Sequence, residues 1–214
     1  MHLNHIWQDI VSYVAQISIW ELSGLVFGIL AVVFLIKENI WTWPAGIAYV
    51  IVSFVVFWNA RLYGDLILHV FFLVLNIYGW FYWVKGNQNS QSTVVVTGLT
   101  LRQNAIVFFL TIIGVFIFAQ FLIKIPSMFE GVDPASLPYW DSTTSILSVT
   151  GMWLTARKKI ENWYYWFAVD IIAAGVYFYK DLYFYSLLYF LYIGMAVVGY
   201  LAWRKTMHKG NSSL

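Results

Sequence analysis

The sequence repeats itself at a distance of 120 residues, and this repeat constrains the fold more than any other feature. Residues 21–85 align without a gap on residues 141–205. Five positions of the first copy, Trp43, Tyr63, Gly79, Trp83 and Lys85, recur as Trp163, Tyr183, Gly199, Trp203 and Lys205. Such self-similarity indicates that one structural unit is used twice.

The composition predicts that both copies lie in a membrane. Hydrophobic residues make up 61% of the 214 residues and charged residues only 10%, whereas soluble domains carry roughly a quarter charged residues. Duplication inside an apolar chain is typical of membrane transporters. The absence of cysteine excludes disulfides and thiolate ligands, and the net charge of +2 predicts no nucleic-acid partner.

The apolar runs predict seven transmembrane helices in one domain, residues 1–214. Each run is continuously apolar, which favours helices over the alternating strands of a barrel. The predicted spans are residues 19–36, 43–59, 65–84, 103–124, 141–156, 163–180 and 182–203. Repeat one (about 19–85) and repeat two (about 141–205) are then parallel three-helix units joined by a linker helix (about 103–124), a 3+1+3 order. We expect Met1–Gln16 to lie at the membrane interface, and Gly86–Thr100 to be a polar linker.

The basic residues predict the orientation of the chain. Of the 12 Lys and Arg, three fall on one side of the predicted bundle, Arg61, Lys124 and Lys180, and the other nine fall on the side of the C-terminus. Because positive charge is retained in the cytoplasm, we expect the C-terminus inside and the N-terminus outside.

The sixth span carries an acidic group on an aromatic face. Trp163, Trp166, Asp170 and Tyr177 have offsets of 0, 3, 7 and 14 residues, which fall within an arc of roughly 60° on a helix. A carboxylate inside a span is costly and marks a functional path more often than a helix contact. The aromatic rings beside it would stack on a planar ligand, particularly a cationic one.

The third span offers a second candidate face, with Asn76, Gly79, Trp80 and Trp83 at offsets 0, 3, 4 and 7. Asn76 can both donate and accept a hydrogen bond. For Trp83 and its counterpart Trp203, we expect anchoring at the membrane interface over ligand contact.

The polar groups of these two faces are not part of the repeat. Asp170 corresponds to Val50, Trp166 to Gly46, Tyr177 to Phe57, and Asn76 to Ala196. The three-helix unit therefore does not need them, and an asymmetric ligand between the two halves is expected.

Other candidates are weaker. Gln120 in the fourth span could face the cavity or bond a neighbouring helix. The Ser- and Thr-rich fifth span, which includes Ser148 and Gly151, is expected to pack closely, with a hydroxyl toward the ligand as the alternative. The four histidines show no metal-ligand spacing, and no nucleotide-binding or hydrolase motif is present. We predict no metal, no cofactor and no catalytic residue.

Four stretches resemble the PnuC vitamin transporters. They are residues 41–47 (WTWPAGI), 58–65 (WNARLYGD), 76–83 (NIYGWFYW) and 157–170 (RKKIENWYYWFAVD). The resemblance implies a bacterial inner-membrane carrier for nicotinamide riboside with seven helices arranged as in the SWEET sugar carriers. It also implies a homotrimer, facilitated diffusion, and trapping of the riboside by a cytoplasmic kinase. It places the substrate on Trp163, Trp166, Asp170 and Tyr177, and on Asn76, Trp80 and Trp83.

Several alternatives remain open at this stage. An ionised Asp170 would complement a pyridinium riboside, but thiamine is also an aromatic cation, and related transporters carry thiamine or riboflavin. A membrane-embedded enzyme needs an acid pair, a nucleophile or a metal cluster, whereas the predicted spans offer one clear carboxylate. A vitamin sensor that does not transport would differ from a carrier only in flux.

Overall fold

A computed structural model describes residues 2–59, 63–88, 94–128 and 137–211, and these residues form eight helices. They are α1 (His2–Gln16), α2 (Ile19–Ile36), α3 (Thr42–Asn59), α4 (Tyr63–Gln88), α5 (Leu101–Met128), α6 (Pro138–Ala156), α7 (Asn162–Tyr179) and α8 (Tyr183–Asn211). The prediction of an all-helical chain is confirmed.

Five of these helices are long and apolar enough to cross a membrane. The apolar segments are Ile19–Ile36, Thr42–Asn59, Asp65–Lys85, Leu101–Met128 and Tyr183–His208. The other two predicted spans form α6 and α7, which carry many hydroxyl and aromatic groups together with Asp170. These two helices are less apolar because polar groups replace aliphatic ones along them.

Short local signals define the helix boundaries. At the start of α2, the Ser18 hydroxyl accepts a hydrogen bond from the Glu21 backbone N–H, and the Glu21 carboxylate accepts one from the Ser18 backbone N–H. This reciprocal capping box satisfies two N–H groups at the helix end. Pro138 in the first turn of α6 is placed where its missing N–H costs nothing.

The helices form two groups with matching contacts. In the first unit (α2–α4), α3 packs against both α2 and α4, and in the second unit (α6–α8), α7 packs against both α6 and α8. The units meet where α4 contacts α6 and where α2 contacts α8. α5 packs against α6, and α1 packs against α8.

A tryptophan packed on a glycine recurs in each unit. A methyl group built on Gly79 would lie 2.2 Å from the Trp43 ring, and one built on Gly199 would lie 2.3 Å from the Trp163 ring. No larger residue fits at either glycine without a shift of a rigid indole. This contact explains why the sequence repeats both residue types.

The repeated tryptophans form one buried group, the tryptophan cluster (Trp43, Trp83, Trp163 and Trp203). Trp43 meets Trp83 edge to face at 5.2 Å between ring centroids, and Trp163 meets Trp203 in the same way at 5.5 Å. The interplanar angle is 87° in both pairs. Edge-to-face contact is a favoured arrangement of aromatic rings.

The expectation that Trp83 and Trp203 anchor the membrane interface is wrong. Their side chains are 6% and 0% exposed. The Trp83 indole N–H donates to the Ala156 carbonyl at 3.1 Å, and the Trp203 N–H donates to the Leu35 carbonyl at 2.9 Å. Each indole thus caps the end of a helix in the opposite unit, where the last carbonyls lack helical partners.

An ion pair between two equivalent positions also joins the units. Glu38 and Lys158, 120 residues apart, both have a positive φ, 53° and 54°, and each follows a helix end. The Lys158 ammonium lies 2.9 Å from the Glu38 carboxylate. The units therefore meet through equivalent residues, as expected for an approximate twofold relation.

Part of the linker predicted to be polar is packed against the second unit. Val96 is 2% exposed, and Thr97 exchanges backbone hydrogen bonds with Lys158 and Ile160. The Glu161 carboxylate accepts a hydrogen bond from the Leu99 backbone N–H at 2.7 Å. Residues 94–99 therefore lie as a strap across the turn between α6 and α7.

Candidate functional site

A cavity of about 230 Å³ lies between the two units. Residues from α2, α3 and α4 line it on one side, and residues from α6, α7 and α8 line it on the other. Four of the residues singled out in the sequence meet here: Asn76, Trp163, Trp166 and Asp170. The two predicted helix faces therefore both contribute to one cavity between the units.

Asp170 is the acidic side chain among the described residues that line the cavity. Its side chain lines the cavity and is only 6% exposed. Within the described part of the chain, no donor hydrogen-bonds its carboxylate. The lining residues include no Lys, Arg or His among the residues that the structure describes. A buried carboxylate without a protein partner is costly, so this cavity favours a ligand that brings a donor or a positive charge.

Asn76 presents an acceptor to the cavity. Its side-chain N–H donates to the Phe72 carbonyl, one helical turn earlier, at 2.9 Å. Because a carbonyl can only accept, the amide nitrogen must lie on that side and Oδ1 on the other. Oδ1 points toward Gly46 of α3, where a methyl group would lie 2.2 Å away. The amide is therefore held in one orientation.

Trp166 is held by its edge. Its indole N–H donates to the Thr155 hydroxyl at 3.1 Å, and this hydroxyl donates to the Gly151 carbonyl at 2.9 Å. A methyl group built on Gly151 would lie 3.3 Å from the indole. With its polar edge bonded to α6, the ring offers an aromatic surface to the cavity.

Trp163 has a different environment from Trp166. It belongs to the tryptophan cluster, is 2% exposed, and packs against Gly199. Among the residues that the structure describes, its indole N–H and that of its counterpart Trp43 are buried with no hydrogen-bond partner. Trp163 therefore supports the wall of the cavity in the same way in which Trp43 supports the opposite wall.

The other predicted site residues lie outside the cavity lining. Trp80 is 40% exposed, and Trp83 belongs to the tryptophan cluster. Gln120 lies on the exposed side of α5 and donates to the Tyr139 hydroxyl at 3.1 Å. Contacts of these three side chains with a ligand stay a prediction, and this conformation does not bring them to the cavity.

Tyr177 does not line the cavity but is separated from it by the ring of Tyr189. It stacks on the cavity-lining Tyr189 and, on its other side, on Tyr185, each at 5.4 Å between centroids. Tyr185 hydrogen-bonds Tyr13 of α1, and Tyr13 donates to Glu21 at 3.1 Å. A stack of tyrosines thus separates this end of the cavity from α1.

Sequence reasoning missed three cavity tyrosines, Tyr49, Tyr189 and Tyr192. A methyl group built on Gly28 would lie 3.1 Å from the Tyr192 hydroxyl and 3.5 Å from the Tyr49 ring. The spacing of Tyr189 and Tyr192 on one face of α8 was the available signal. Among the hydroxyl groups considered in the fifth span, Ser148 lines the cavity.

The sequence profile of one protein family, described as nicotinamide mononucleotide transporter, matches residues 18–205. The chain belongs to this family. Membership in this transporter family, together with the five apolar helices, makes the chain a multi-pass membrane protein.

Individual members of this family are distant in sequence. The chain is 26% identical over 202 residues to the nicotinamide riboside transporter PnuC of Escherichia coli (strain K12), which covers 86% of this chain and 84% of the relative. It is 22% identical over 191 residues to the riboflavin/roseoflavin transporter RibM of Streptomyces davaonensis, covering 88% and 86%.

One solved structure has the same fold. The crystal structure of the vitamin B3 transporter PnuC superposes with a TM-score of 0.72 over 97% of this chain and 90% of that chain, at 24% identity. At this identity the similarity shows the fold alone.

Proposed function

We propose that this protein carries nicotinamide riboside across the membrane by facilitated diffusion. The observation that carries the proposal is the lining of the cavity, which contains the acidic side chain of Asp170 and, within the described residues, no basic side chain. Nicotinamide riboside is a pyridinium cation with a planar ring, so it complements both the carboxylate and the aromatic walls. The riboside named for several relatives fits this cavity on charge.

The same observation argues against the mononucleotide in the family's description. A phosphate monoester carries about two negative charges at neutral pH and binds proteins through Arg, Lys or helix N-termini. In this cavity it would lie near Asp170 with no basic partner. The acidic side chain and the absence of a basic one among the described lining residues therefore disfavour a phosphorylated substrate.

The side chains suggest how the riboside is held. The pyridinium ring stacks on Trp166, and Asp170 supplies the countercharge. The Asn76 Oδ1 accepts a hydrogen bond from the carboxamide NH2, and the cavity phenols reach the ribose hydroxyls. Trp163 forms the wall behind the ring, Tyr177 closes one end through the tyrosine stack, and Trp80, Trp83 and Gln120 approach substrate only in another conformation.

Transport requires both ends of this cavity to open in turn. We propose that α2–α8 all span the membrane in the 3+1+3 order, with α5 as the linker helix and the two units rocking against each other. The matching contacts of the units support this order. We further propose an inner-membrane homotrimer with the N-terminus outside, and a cytoplasmic kinase that traps the riboside.

Uptake into proteoliposomes without an ion gradient tests the function. Labelled nicotinamide riboside should equilibrate across the membrane, whereas labelled nicotinamide mononucleotide should stay outside. Liposomes containing Asp170→Ala protein serve as the matched control and should take up little riboside. Equal flux of the mononucleotide would contradict the charge argument. Preferential flux of thiamine would change the substrate, and binding without flux would identify a receptor.

The orientation can be tested with single cysteines because the chain has none of its own. A membrane-impermeant maleimide applied to intact cells should label Asn4→Cys, and it should label Ser213→Cys only after lysis. The reverse pattern would overturn the proposed orientation.

A further inference from the structure

The largest difference in size between equivalent positions lies in the cavity wall. Gly46 of α3 corresponds to Trp166 of α7, and Asn76 of α4 corresponds to Ala196 of α8. All four residues line the cavity. Where one unit has a small residue on its middle helix and a large one on its third helix, the other unit has the opposite. The two exchanges run in opposite directions, and the Gly–Trp difference is much the larger of the two.

The Asn76 amide occupies the space that a side chain at position 46 would need. A methyl group built on Gly46 would lie 2.2 Å from Oδ1 and 3.1 Å from Cγ of Asn76. Carbon atoms do not approach oxygen atoms this closely without a clash, so any residue larger than glycine at position 46 must displace the amide.

The surroundings of Asn76 prevent its side chain from moving away from position 46. The residue is 3% exposed, and its amide nitrogen is bonded to the Phe72 carbonyl. One turn further along α4, Gly79 is in close contact with Trp43 of α3. Because this second contact holds the two helices together, α4 cannot move away from α3 to accommodate a larger residue 46.

We infer that Gly46 is a positioning residue that fixes the Asn76 Oδ1 as a carboxamide acceptor, and thereby sets the preference of the cavity for the amide over the acid form of its ligand. The inference rests on the proposed function, since it uses a pyridine riboside as the ligand. Oδ1 accepts from a carboxamide NH2, whereas it repels a carboxylate at the same place. Asn76 of the first unit then hydrogen-bonds the amide group of the ligand, and Trp166 of the second unit stacks on its ring.

Binding of two ribosides tests this role. The ligands are nicotinamide riboside and nicotinic acid riboside, which differ only in carboxamide against carboxylate. Gly46→Ala should weaken nicotinamide riboside binding by about tenfold, the size expected for loss of one well-placed hydrogen bond to a buried group. It should also remove most of the preference for the amide form. Gly175→Ala is the matched control, since a methyl group there meets no described atom within 4 Å beyond its chain neighbours and its own helix backbone, and it should leave both affinities within about twofold.

A double mutant separates positioning from a general packing defect. If Gly46 acts through Asn76, the Gly46→Ala and Asn76→Ala changes should not add, and the double variant should bind like Asn76→Ala alone. The double variant should also be more thermostable than Gly46→Ala, because removal of the Asn76 amide relieves its clash with the new methyl group. Additive losses, or an unchanged amide preference in Gly46→Ala, would overturn the inference. Should Gly46→Ala not fold, rescue by Asn76→Ala supports the contact and failure of rescue refutes it.

A readout without ligand distinguishes this inference from the proposed function. The side-chain NH2 resonance of Asn76, assigned by its loss in Asn76→Ala, should shift in Gly46→Ala and stay in place in Gly175→Ala. If the resonance shifts in Gly46→Ala but the wild-type protein binds neither riboside, the positioning role is kept and the substrate is rejected. Riboside binding with an unshifted resonance would reject the positioning role and keep the substrate.

Discussion

The two three-helix units share their packing and differ in their chemistry. In both units a tryptophan of the middle helix packs on a glycine of the third helix, Trp43 on Gly79 and Trp163 on Gly199. One turn or two further along the same middle helices, Gly46 and Val50 of the first unit correspond to Trp166 and Asp170 of the second. The retained Trp–Gly contacts hold the helices together, and the four positions that differ line the cavity beside the two tryptophans.

This difference indicates how a repeated scaffold can bind a ligand that has no symmetry. A planar cation with an amide at one side needs an aromatic surface and a negative charge in one place and a hydrogen-bond acceptor in another. The second unit supplies the first two through α7, and the first unit supplies the third through α4.

The largest effect is expected where the units are the same. Gly79→Ala and Gly199→Ala each place a methyl group against a rigid, buried indole, and each should destabilise the protein by about 3 kcal/mol. Thermal unfolding followed by size-exclusion chromatography measures this loss. Gly194→Ala on α8 is the control, because within the described part of the chain the new methyl group meets nothing within 4 Å beyond its chain neighbours and its own helix backbone. If either glycine variant unfolds at the same temperature as Gly194→Ala, the shared Trp–Gly contact is not what holds the helices of each unit together.

The next effect is expected at Asp170, where one unit has a carboxyl group and the other has Val50. Asp170→Ala should weaken riboside binding by about 30-fold, equivalent to about 2 kcal/mol, since it removes the countercharge. Stability should not fall, because a buried carboxylate without a partner is also removed. Calorimetric titration and thermal unfolding of the same preparation give both values. Unchanged affinity in the folded variant would remove Asp170 from the site.

A smaller effect is expected from the ion pair that links the units. Glu38→Gln leaves the 7%-exposed Lys158 side chain without its partner carboxylate, and should destabilise the protein by about 1–2 kcal/mol. The charge-swapped variant Glu38→Lys with Lys158→Glu should recover part of this loss. A double-mutant cycle in thermal unfolding tests the coupling, and an interaction energy near zero would show that the pair does not join the units.

The smallest effect is expected at Thr155, which holds Trp166 and has Leu35 as its counterpart. Thr155→Val keeps the volume and removes the hydroxyl that accepts from the indole, so riboside affinity should fall by about fivefold. Thr206→Val, on the exposed end of α8, provides the same substitution away from the cavity. Equal affinities of the two variants would show that Trp166 needs no support at its edge.

Much of the fold could be predicted from the sequence because it depends on local patterns. Long apolar runs predict helices, and the 120-residue repeat predicts two units with Trp43 and Trp163 in equivalent places. The faces carrying Asn76 and Asp170 could also be read from helical spacing. These features need only the order of residues along one helix.

Other features depend on contacts between distant segments. Nothing near Trp83 in sequence shows that its N–H caps a helix of the other unit, so a tryptophan beside a lysine was interpreted as an interfacial anchor. Tyr49 and Tyr192 could not be separated from lipid-facing rings in a chain that is 21% aromatic. Val96 is buried within a polar stretch only because the strap pairs with the α6–α7 turn.

The most direct test of the asymmetric cavity is an experimental structure with nicotinamide riboside bound. The account predicts density between the two units, with the pyridinium ring on Trp166, its charge toward Asp170, and the carboxamide at the Asn76 Oδ1. A ligand bound outside this cavity, or one bound with its carboxamide toward α7 and its ring on α4, would contradict it.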